Sequence, residues 1–524
     1  MRQATRFTLP AGVSLAGCLL CACGGGGGGS SAPASYAIGG SVSGLTQLSG
    51  VVLQNNGGDA LSMSADGAFT FASRVASGAA YDVTVKTQPT GETCTVTDGQ
   101  GNASARVDSI DVSCTSNYAN PNAANVAVIT VSPGPASASD QTFNIPQVTV
   151  TVCNPETQAC ATISDVLVDT GSSGLRLLSQ ALPAGFTLPP MADPNHAGNT
   201  INECMLFADG YSWGSVAYAT VTVADETTGP TTGIPVQIIN SSSSPSPPVP
   251  SECSNASPGI QAENTVDDFD ANGVLGVSVL NQDCGSECVG GTANDNGIYY
   301  TCSATSCSST GLTELTDEVA NPVASFPNDN NGVIVQLPAI SSSGAVGASG
   351  YLVFGIGTET AGATEADNSL NSATVLTAYY DGLFNTTFSG QQLGYSFIDS
   401  GSNGLYFPQP TPNLALCGNS PPANEFYCPN STTSLSATNE GEDAQGSASG
   451  PTSDVSFQVA NLNDISPSDF AINDAAGTAL SIPGFGTNGT AYFDWGVPFL
   501  YGRTVFNAIE NTSAAGTMGP YYAY

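Results

Sequence analysis

The sequence is poor in basic residues, and this scarcity excludes several kinds of active site. It contains one histidine, His196, and seven lysines plus arginines, against 43 aspartates plus glutamates. A zinc site built on several histidines is therefore excluded. A Ser-His-Asp triad would depend on His196, which lies in a stretch rich in Pro and Asn that is typical of a solvated loop. Carboxylates are the catalytic groups that this sequence has in excess.

The net charge of −36 limits the partners of the protein. A chain this anionic repels phosphate backbones and anionic membrane surfaces, so we expect no nucleic-acid binding. The acidity favours solubility, which is the more general explanation. It also suits a protein that works at acidic pH, where carboxylates take up protons and the repulsion among them falls.

Glycine and proline are abundant, and this composition favours short strands joined by turns. The chain has 60 glycines and 33 prolines, and 40% of its residues are hydrophobic. We therefore predict an all-β protein with enough apolar side chains to form cores. A chain of 524 residues is too long for one compact core, so two or three domains are expected.

The N-terminal residues 1–23 resemble a signal peptide. Two arginines precede an apolar stretch that is too short to span a membrane comfortably. The stretch ends at Cys23, and six glycines and two serines then begin a flexible tether over residues 24–35. A small residue before a cysteine, followed by such a run, resembles a bacterial lipoprotein cleavage site. We therefore predict an exported outer-membrane lipoprotein, facing the periplasm or the cell surface, with Cys23 lipidated.

Two alternatives to lipidation at Cys23 remain open. The segment Leu15-Ala16-Gly17-Cys18 fits the lipobox consensus more closely, but cleavage at Cys18 would leave a very short apolar region. An ordinary cleaved signal peptide with fortuitous cysteines is the other alternative. In the lipidated forms, the N-terminal lipid is the only membrane contact that we expect.

Twelve cysteines follow Cys23, and an even number in an exported chain indicates disulfides. The pairings suggested by spacing are Cys94–Cys114, Cys153–Cys160, Cys417–Cys428 and, closing a longer loop, Cys204–Cys253. Four further cysteines allow three pairings that sequence cannot resolve; they are Cys284, Cys288, Cys302 and Cys307. Their spacing differs from that of a zinc ribbon, so bridges are favoured over a metal.

The chain beyond the tether divides into a small and a large domain. Residues 36–115 contain short segments in which apolar and polar residues alternate, as half-buried strands require. They resemble the small immunoglobulin-like or transthyretin-like sandwiches that bacteria use as surface spacers. We therefore predict a β-sandwich spacer domain, a linker at 116–124 and a large domain at 125–524.

Two segments of the large domain, residues 166–175 and 395–405, share one pattern. Each has an apolar strand, an aspartate, a hydroxyl residue, a glycine, a second hydroxyl residue and further apolar residues. One such motif would usually be a turn, but two copies in one β-rich chain indicate a shared function. The aspartates, Asp169 and Asp399, are the candidate catalytic pair. The residues predicted to support them are Thr170, Gly171, Ser172, Ser400, Gly401 and Ser402.

This arrangement suits acid–base catalysis by two carboxyl groups. Each strand would deliver a carboxylate at a tight turn, where the glycine lets the two loops approach. Carboxyl groups about 3 Å apart cannot both ionise, so the pair would keep one proton and titrate as a unit. The charged group could then activate water, and the protonated group could donate to the developing oxyanion.

The two motifs resemble those of the pepsin-like aspartic peptidases. Residues 169–179 follow the first active-site motif of that family closely, and residues 207–223 resemble its flap hairpin and returning strand. Residues 272–276 and 495–506 resemble the segments that pass beneath the two catalytic loops. Residues 350–355 resemble the strand that begins the crossover between lobes.

The resemblance extends over residues 125–510 and implies a fold and a reaction. The implied fold is a bilobal double β-barrel, with lobes at about 125–345 and 346–524. The implied activity is endopeptidase cleavage of a peptide or protein substrate, with no cofactor and no metal, and we expect a monomer. The whole chain also resembles an uncharacterised family of bacterial exported lipoproteins.

Departures from the family pattern leave a second function open. The residues predicted to form the flap and bind substrate are Phe207, Asp209, Gly210, Tyr211 and Trp213. Phe207 stands where the family has a tyrosine whose hydroxyl bonds near the catalytic site, although Tyr211 or Trp213 could substitute. Arg176 stands where a tryptophan often follows the first motif. The alternative function is therefore a weak or inactive pepsin-like lipoprotein that acts in surface binding or adhesion.

Arg176 and Arg503 are the only lysines or arginines after residue 115. In a carboxylate-rich protein we favour a structural ion pair for each, with a contact to substrate as the alternative. Residues 268–273 open like a calcium loop, but Val279 stands where the loop requires a glutamate, so no metal site is predicted.

Overall fold

The computed structural model forms two compact units, one within residues 34–116 and one from residue 123 to Tyr524. The residues that the structure describes are 34–43, 45, 50–89, 92–116, 123–139, 141–208, 210–229, 231–242, 247–256, 260–290, 296–342, 344–358, 368–370, 373–379, 381–418, 425–479 and 492–524. Cys18, Cys23 and the predicted tether lie outside them.

The small unit consists of short strands. They are β1 (Ser35–Tyr36), β2 (Ile38–Ser43), β3 (Val51–Asn55), β4 (Gly58–Met63), β5 (Gly67–Thr70), β6 (Val75–Ala76), β7 (Ala80–Thr87), β8 (Glu92–Thr97), β9 (Gln100–Asn102) and β10 (Val107–Ser116).

Two four-stranded sheets of the small unit pack around one core. Their strand orders are β5-β2-β10-β8 and β4-β3-β7-β9, and β1 pairs with β6. Both sheets contribute buried apolar side chains, such as Ile38 from the first and Leu53 from the second. The turn between β3 and β4 places Asn56 and Gly57 at φ values of 53° and 70°, the conformation that tight hairpin turns favour. The small unit is therefore a β-sandwich.

The first half of the large unit contains fourteen described strands. They are β11 (Val126–Val131), β12 (Pro146–Cys153), β13 (Cys160–Asp169), β14 (Ser173–Leu178), β15 (Thr200–Leu206), β16 (Gly210–Val223), β17 (Glu226–Thr227), β18 (Ile234–Ile239), β19 (Gln261–Ala262), β20 (Gly273–Val277), β21 (Tyr299–Cys302), β22 (Cys307–Ser309), β23 (Gly332–Leu337) and β24 (Ala348–Phe354).

The second half contains the remaining described strands. They are β25 (Val375–Thr377), β26 (Phe384–Phe388), β27 (Gln391–Ile398), β28 (Leu405–Phe407), β29 (Thr433–Glu442), β30 (Ala448–Val459), β31 (Ala476–Thr478), β32 (Asp494–Trp495), β33 (Arg503–Ala508), β34 (Ser513–Ala514), β35 (Thr517–Met518) and β36 (Tyr521–Ala523). The described α-helices are α1 (Ser251–Ser254), α2 (Val266–Phe269) and α3 (Val497–Leu500). Within the described ranges no helix has the length and apolar character needed to cross a membrane.

Six strands of the first half close into a barrel. Their order is β12-β13-β20-β14-β18-β16, and β16 pairs back with β12, so every strand has a partner on each side. The barrel is filled by buried apolar residues such as Val150, Val168 and Leu175. Because β13 is buried over its last four positions, three apolar residues and then Asp169, it places Asp169 at the end of a buried strand.

Part of this strand pairing is repeated in the second half. There β27 lies parallel to β32, β28 lies antiparallel to β32, and β28 lies parallel to β31. In the first half the same relations hold for β13 with β20, β14 with β20, and β14 with β18. The complete sheet of the second half has the order β30-β29-β26-β27-β32-β28-β31. Asp399 follows β27 directly, as Asp169 ends β13.

A six-stranded antiparallel sheet joins segments from the start, middle and end of the large unit. Its order is β11-β24-β23-β33-β36-β25. The predicted division between lobes, at about residue 345, falls between β23 and β24, one strand before the end of the first half, which comprises β11 to β24. The prediction of an all-β protein is confirmed.

Six disulfides link the described cysteines. The four pairings predicted from spacing are present, and the unresolved foursome forms Cys284–Cys288 and Cys302–Cys307. Three bridges join directly opposite positions of neighbouring antiparallel strands; they are Cys94–Cys114, Cys153–Cys160 and Cys302–Cys307. These bridges indicate an exported location or another oxidising environment.

Candidate active site

The two aspartate loops lie against each other in the large unit. An added Cβ at Gly171 would lie 2.6 Å from Cγ of Asp399, so only glycine allows this approach. The carboxyl groups of Asp169 and Asp399 are hydrogen-bonded to one another. The structure therefore brings together the two aspartates that the sequence singled out.

Reciprocal hydrogen bonds fasten one loop to the other. The Thr170 amide donates to Oγ of Ser400 at 3.0 Å, and the Ser400 amide donates to Oγ1 of Thr170 at 2.9 Å. Each hydroxyl also donates across the pair, Thr170 to the carbonyl of Ile398 at 2.9 Å and Ser400 to that of Val168 at 2.7 Å. Since every contact has a counterpart, the loops hold each other in a near-symmetric position.

Each carboxylate accepts the same two kinds of hydrogen bond from its own loop. Asp169 accepts from the Gly171 amide at 2.7 Å and from Oγ of Ser172 at 2.5 Å. Asp399 accepts from the Gly401 amide at 2.7 Å, and Oγ of Ser402 lies 3.0 Å from its Oδ2. The six residues predicted to support the pair thus all contact either a candidate carboxylate or the opposite loop.

The two carboxyl groups differ in affinity for protons. Both are buried, with Asp169 1% and Asp399 0% exposed. Burial and the charge of Asp169 raise the pKa of Asp399 to about 7. Burial also opposes ionisation of Asp169, but hydrogen bonds from Asp399, Ser172 and the Gly171 amide stabilise its charge, so its pKa lies below that of Asp399. The pair therefore holds one proton across the acid and near-neutral range, with Asp399 the protonated member.

A glycine passes directly beneath each loop. An added Cβ at Gly276 would lie 2.8 Å from the Gly174 nitrogen and from the Ser172 carbonyl oxygen. One at Gly496 would clash with the carbonyl oxygen of Gly404. Both segments therefore need glycine where they support the loop above them.

The predicted flap is a β-hairpin formed by β15 and β16, and Phe207, Ala208 and Gly210 are the described residues at its tip. Phe207 is buried and packs edge-on against Phe269, with ring centroids 5.8 Å apart. At the tip, Ala208 packs against a cluster of the second half that contains Phe397 and Tyr492. The hairpin tip therefore contacts the half of the unit that carries Asp399.

The other aromatic residues of the hairpin lie on a second cluster. Trp213 packs edge-on against Tyr300 and donates from Nε1 to the carbonyl of Pro247 at 3.3 Å. Tyr211 is buried in the same cluster. Asp209 lies outside the described residues. The substrate-binding role of the hairpin residues stays a prediction.

Arg176 forms the buried ion pair that we favoured from sequence. Its Nη2 lies 2.6 Å from Oε1 of Glu203 and 3.0 Å from Oδ2 of Asp283, and these side chains are fully buried. Burial and the charge of Glu203 raise the pKa of Asp283 well above its ordinary value. Burial raises the pKa of Glu318, which accepts from the Cys284 and Gly285 amides, to about 7. One arginine thus lies among several buried carboxyl groups. Because the pKa values of Asp283 and Glu318 are raised, this cluster keeps protons near neutral pH.

The other basic residues of the large unit have structural contacts. Arg503 lies over the Phe499 ring, 4.4 Å from its centroid, and donates to the Phe499 carbonyl, so the predicted ion pair is replaced by a cation–π contact. His196 is 51% exposed and 2.7 Å from Asp193, as expected of a loop histidine. Within the described ranges, no three His, Cys, Asp or Glu residues are placed to hold a metal.

Sequence reasoning missed a third carboxyl group at the site. Asp494 is 4% exposed, and its Oδ2 lies 2.6 Å from Oγ of Ser402. Its signal in the sequence is an aspartate inside the apolar run Tyr492-Phe493-Asp494-Trp495, where a charged side chain is costly to bury. Burial and the charge of Asp399 raise its pKa well above the ordinary value.

Comparison with known proteins places the large unit in a family. Residues 121–524 match the family model DUF3443, described as a protein of unknown function, so the chain belongs to that family. No curated protein sequence matches the chain.

Proposed function

We propose that the protein is an exported aspartic endopeptidase of the pepsin-like class. The observation that carries the proposal is the pair of buried carboxyl groups of Asp169 and Asp399, which bond to each other. Their loops are locked by reciprocal Thr170–Ser400 hydrogen bonds. A structural role alone does not require two carboxyl groups to share a proton inside a protein.

The unequal proton affinities assign a role to each carboxyl group. Ionised Asp169 takes a proton from a water molecule, whose oxygen attacks the carbonyl carbon of the substrate peptide. Asp399 gives its proton to the carbonyl oxygen, so a neutral tetrahedral diol forms. When the diol collapses, Asp169 gives its proton to the leaving nitrogen, ionised Asp399 takes a proton from one diol hydroxyl, and the C–N bond breaks to leave a carboxylic acid and an amine. Neither a cofactor nor a metal enters this scheme.

The same proposal covers location and partners. The disulfides require an oxidising environment, and the N-terminal pattern supports an outer-membrane lipoprotein anchored at Cys23. The substrate would be a peptide or protein segment, and the enzyme would act as a monomer. The acidic surface argues against nucleic acid as a partner.

One alternative function has specific support. The candidate carboxyl groups have almost no exposed surface, and Ala208 at the hairpin tip packs against Phe397 of the other half. Phe207 has no hydroxyl group to assist catalysis and is buried in the first-half core. These features suit a pepsin-like protein that keeps the fold and acts in surface binding or adhesion with little or no activity.

Cleavage of an unstructured protein across pH 3 to 9 distinguishes the two functions. We expect cleavage that is greatest in acid, that a transition-state-mimicking aspartic-peptidase inhibitor blocks, and that Asp169→Asn lowers by about 100- to 10,000-fold. Asp165→Asn is the matched control, since Asp165 lies on the same strand at φ 55°, which asparagine tolerates. Folded wild-type protein that cleaves nothing at any pH would favour the binding alternative.

A further inference from the structure

Asp494 occupies a position that is apolar in the other half of the unit. In the first half, Val274 of β20 lies opposite Leu167 and Arg176. In the second half, Asp494 of β32 lies opposite Phe397 and Tyr406 in the same parallel and antiparallel relations. The fold therefore accepts an apolar residue here, and the aspartate is not needed for strand pairing.

The surroundings of Asp494 disfavour a negative charge. Oδ1 is buried and has no hydrogen-bond partner among the described residues, and no described basic side chain forms an ion pair with Asp494. The titratable groups that face it are Asp399, Asp169, Tyr522 and, across the strand pair, Tyr406. A buried carboxylate beside other carboxylates is unfavourable unless it holds a proton.

The two hydrogen bonds of the Ser402 hydroxyl group require that one of the neighbouring carboxyl groups carries a proton. Its Oγ lies 2.6 Å from Oδ2 of Asp494 and 3.0 Å from Oδ2 of Asp399. A hydroxyl group has one hydrogen to donate. It can therefore donate to only one of these oxygens and must accept from the other.

We propose that Asp494 is a third proton-holding carboxyl group of the candidate catalytic centre, a positioning residue that donates to Ser402 and so turns the Ser402 hydroxyl toward Asp399. This inference rests on the proposed endopeptidase function. The relay runs from Asp494 through Ser402 to Oδ2 of Asp399 and mirrors the donation from Ser172 to Asp169. When Asp494 loses its proton, the Ser402 hydroxyl turns toward the new carboxylate, and Asp399 loses its donor and gains a negative neighbour. Ionisation of Asp494 thus acts together with loss of the Asp399 proton to set the upper pH limit of activity.

The test is the pH dependence of kcat/KM in two Asp494 variants of the full-length protein. Asp494→Asn keeps a donor but cannot ionise, so we expect the alkaline limb to move up by about one pH unit or more, as for coupled groups. Asp494→Val copies Val274 and lacks both charge and donor. It should move the limb in the same direction and also lower kcat below that of Asp494→Asn. An alkaline limb at the wild-type position in both variants would overturn the proposal.

A matched control and a second readout separate this inference from the proposed function. Asp474 is a buried carboxyl group of the same half whose pKa burial raises to about 6, so Asp474→Asn should leave the alkaline limb unmoved. Should the wild type cleave nothing, the proposed function fails, but the protonation of Asp494 is still measurable by infrared difference spectroscopy. C=O bands of protonated carboxyl groups should persist above pH 6, and the component that Asp494 contributes should be missing from the spectrum of Asp494→Asn. If Asp494→Asn removes no such band, the proposal is wrong.

Discussion

The two halves of the candidate site share a backbone and differ in the polar residues beneath it. Both place an Asp-hydroxyl-Gly-Ser loop over a glycine-containing segment with the same strand relations. Beneath the first loop, the paired positions hold Val274 and Arg176, and Glu203 and Asp283 neutralise the charge of Arg176. Beneath the second, they hold Asp494 and Tyr406. The comparison teaches that the loops fix where the carboxyl groups lie, while the positions beneath them differ between the halves in which polar and charged side chains they carry.

The largest expected effect comes from replacing the glycine that lies beneath each aspartate loop. A methyl group at Gly496 would meet the Gly404 and Ser402 carbonyl oxygens, whereas at Gly276 the nearest atoms are 2.8 Å away. We therefore expect Gly496→Ala to lower the free energy of unfolding by about 3 kcal/mol or more, and Gly276→Ala by less. Thermal or denaturant unfolding measures both variants.

Gly229→Ala is the control for this pair. Its added methyl group would lie 3.4 Å from the nearest atom, which is ordinary contact, so its stability should stay near that of the wild type. Equal destabilisation by Gly496→Ala and Gly229→Ala would contradict the role given to the glycine beneath the loop.

A smaller effect concerns the carboxyl cluster around Arg176. The pKa of Glu318 rises from 4.5 to about 7 on folding, chiefly because the group is buried. A group that binds its proton more tightly when folded stabilises fully below pH 4.5, and this contribution is lost as pH rises through 7. We therefore expect Tm to fall between pH 4.5 and 7, and Glu318→Gln to gain on the order of 2 kcal/mol over the wild type at pH 8.

Glu287→Gln tests whether this gain depends on burial. Glu287 is exposed and lies two residues after Gly285, whose amide Glu318 accepts from, so its neutralisation should leave the pH dependence of Tm unchanged. The same slope in wild type and Glu318→Gln would mean that Glu318 is not a source of the pH dependence.

The smallest expected effect is a difference between the pH profiles of alanine variants at the two loop serines. Ser172 donates to Asp169 alone, whereas Ser402 lies between Asp399 and Asp494. Both Ser172→Ala and Ser402→Ala remove a hydrogen bond to a charged or shared-proton group, worth about 1.5–3 kcal/mol. We expect only Ser402→Ala to change the alkaline limb of the pH profile as well as its height. Equal pH profiles for the two variants would remove the distinction between the halves.

The sequence was sufficient for the features that depend on local pattern. The two Asp-hydroxyl-Gly-Ser turns each end an apolar strand, so their position at buried strand ends was predictable. Close cysteine spacing predicted Cys153–Cys160 correctly because β12 and β13 form a hairpin that places the two cysteines opposite each other. The class of fold followed from composition and alternation.

Features that depend on non-local packing were beyond prediction. Asp494 looked like part of an apolar run, and only the pairing of β32 with β27 and β28 shows which hydroxyl group it meets. The partners of Cys284 and of Cys302 were left open because three arrangements of the four cysteines fit the spacing equally well. The structure pairs Cys284 with Cys288 and Cys302 with Cys307. Arg176 was expected in an ion pair, but its partners Glu203 and Asp283 lie on other segments, which sequence alone does not bring together.

The six-stranded central sheet has a consequence for how the large unit can be made. Val126 of β11 pairs with Val353, Gly332 with Ala508, and Val375 with Ala523, so the sheet needs strands from nearly the whole length of the unit. Pairings this distant in sequence form slowly and late. Either half expressed alone would carry an unpaired strand edge, at β23 in the first half or β33 in the second, and such edges are surfaces for aggregation. The two halves should therefore be produced as one polypeptide, or co-expressed so that the edges meet.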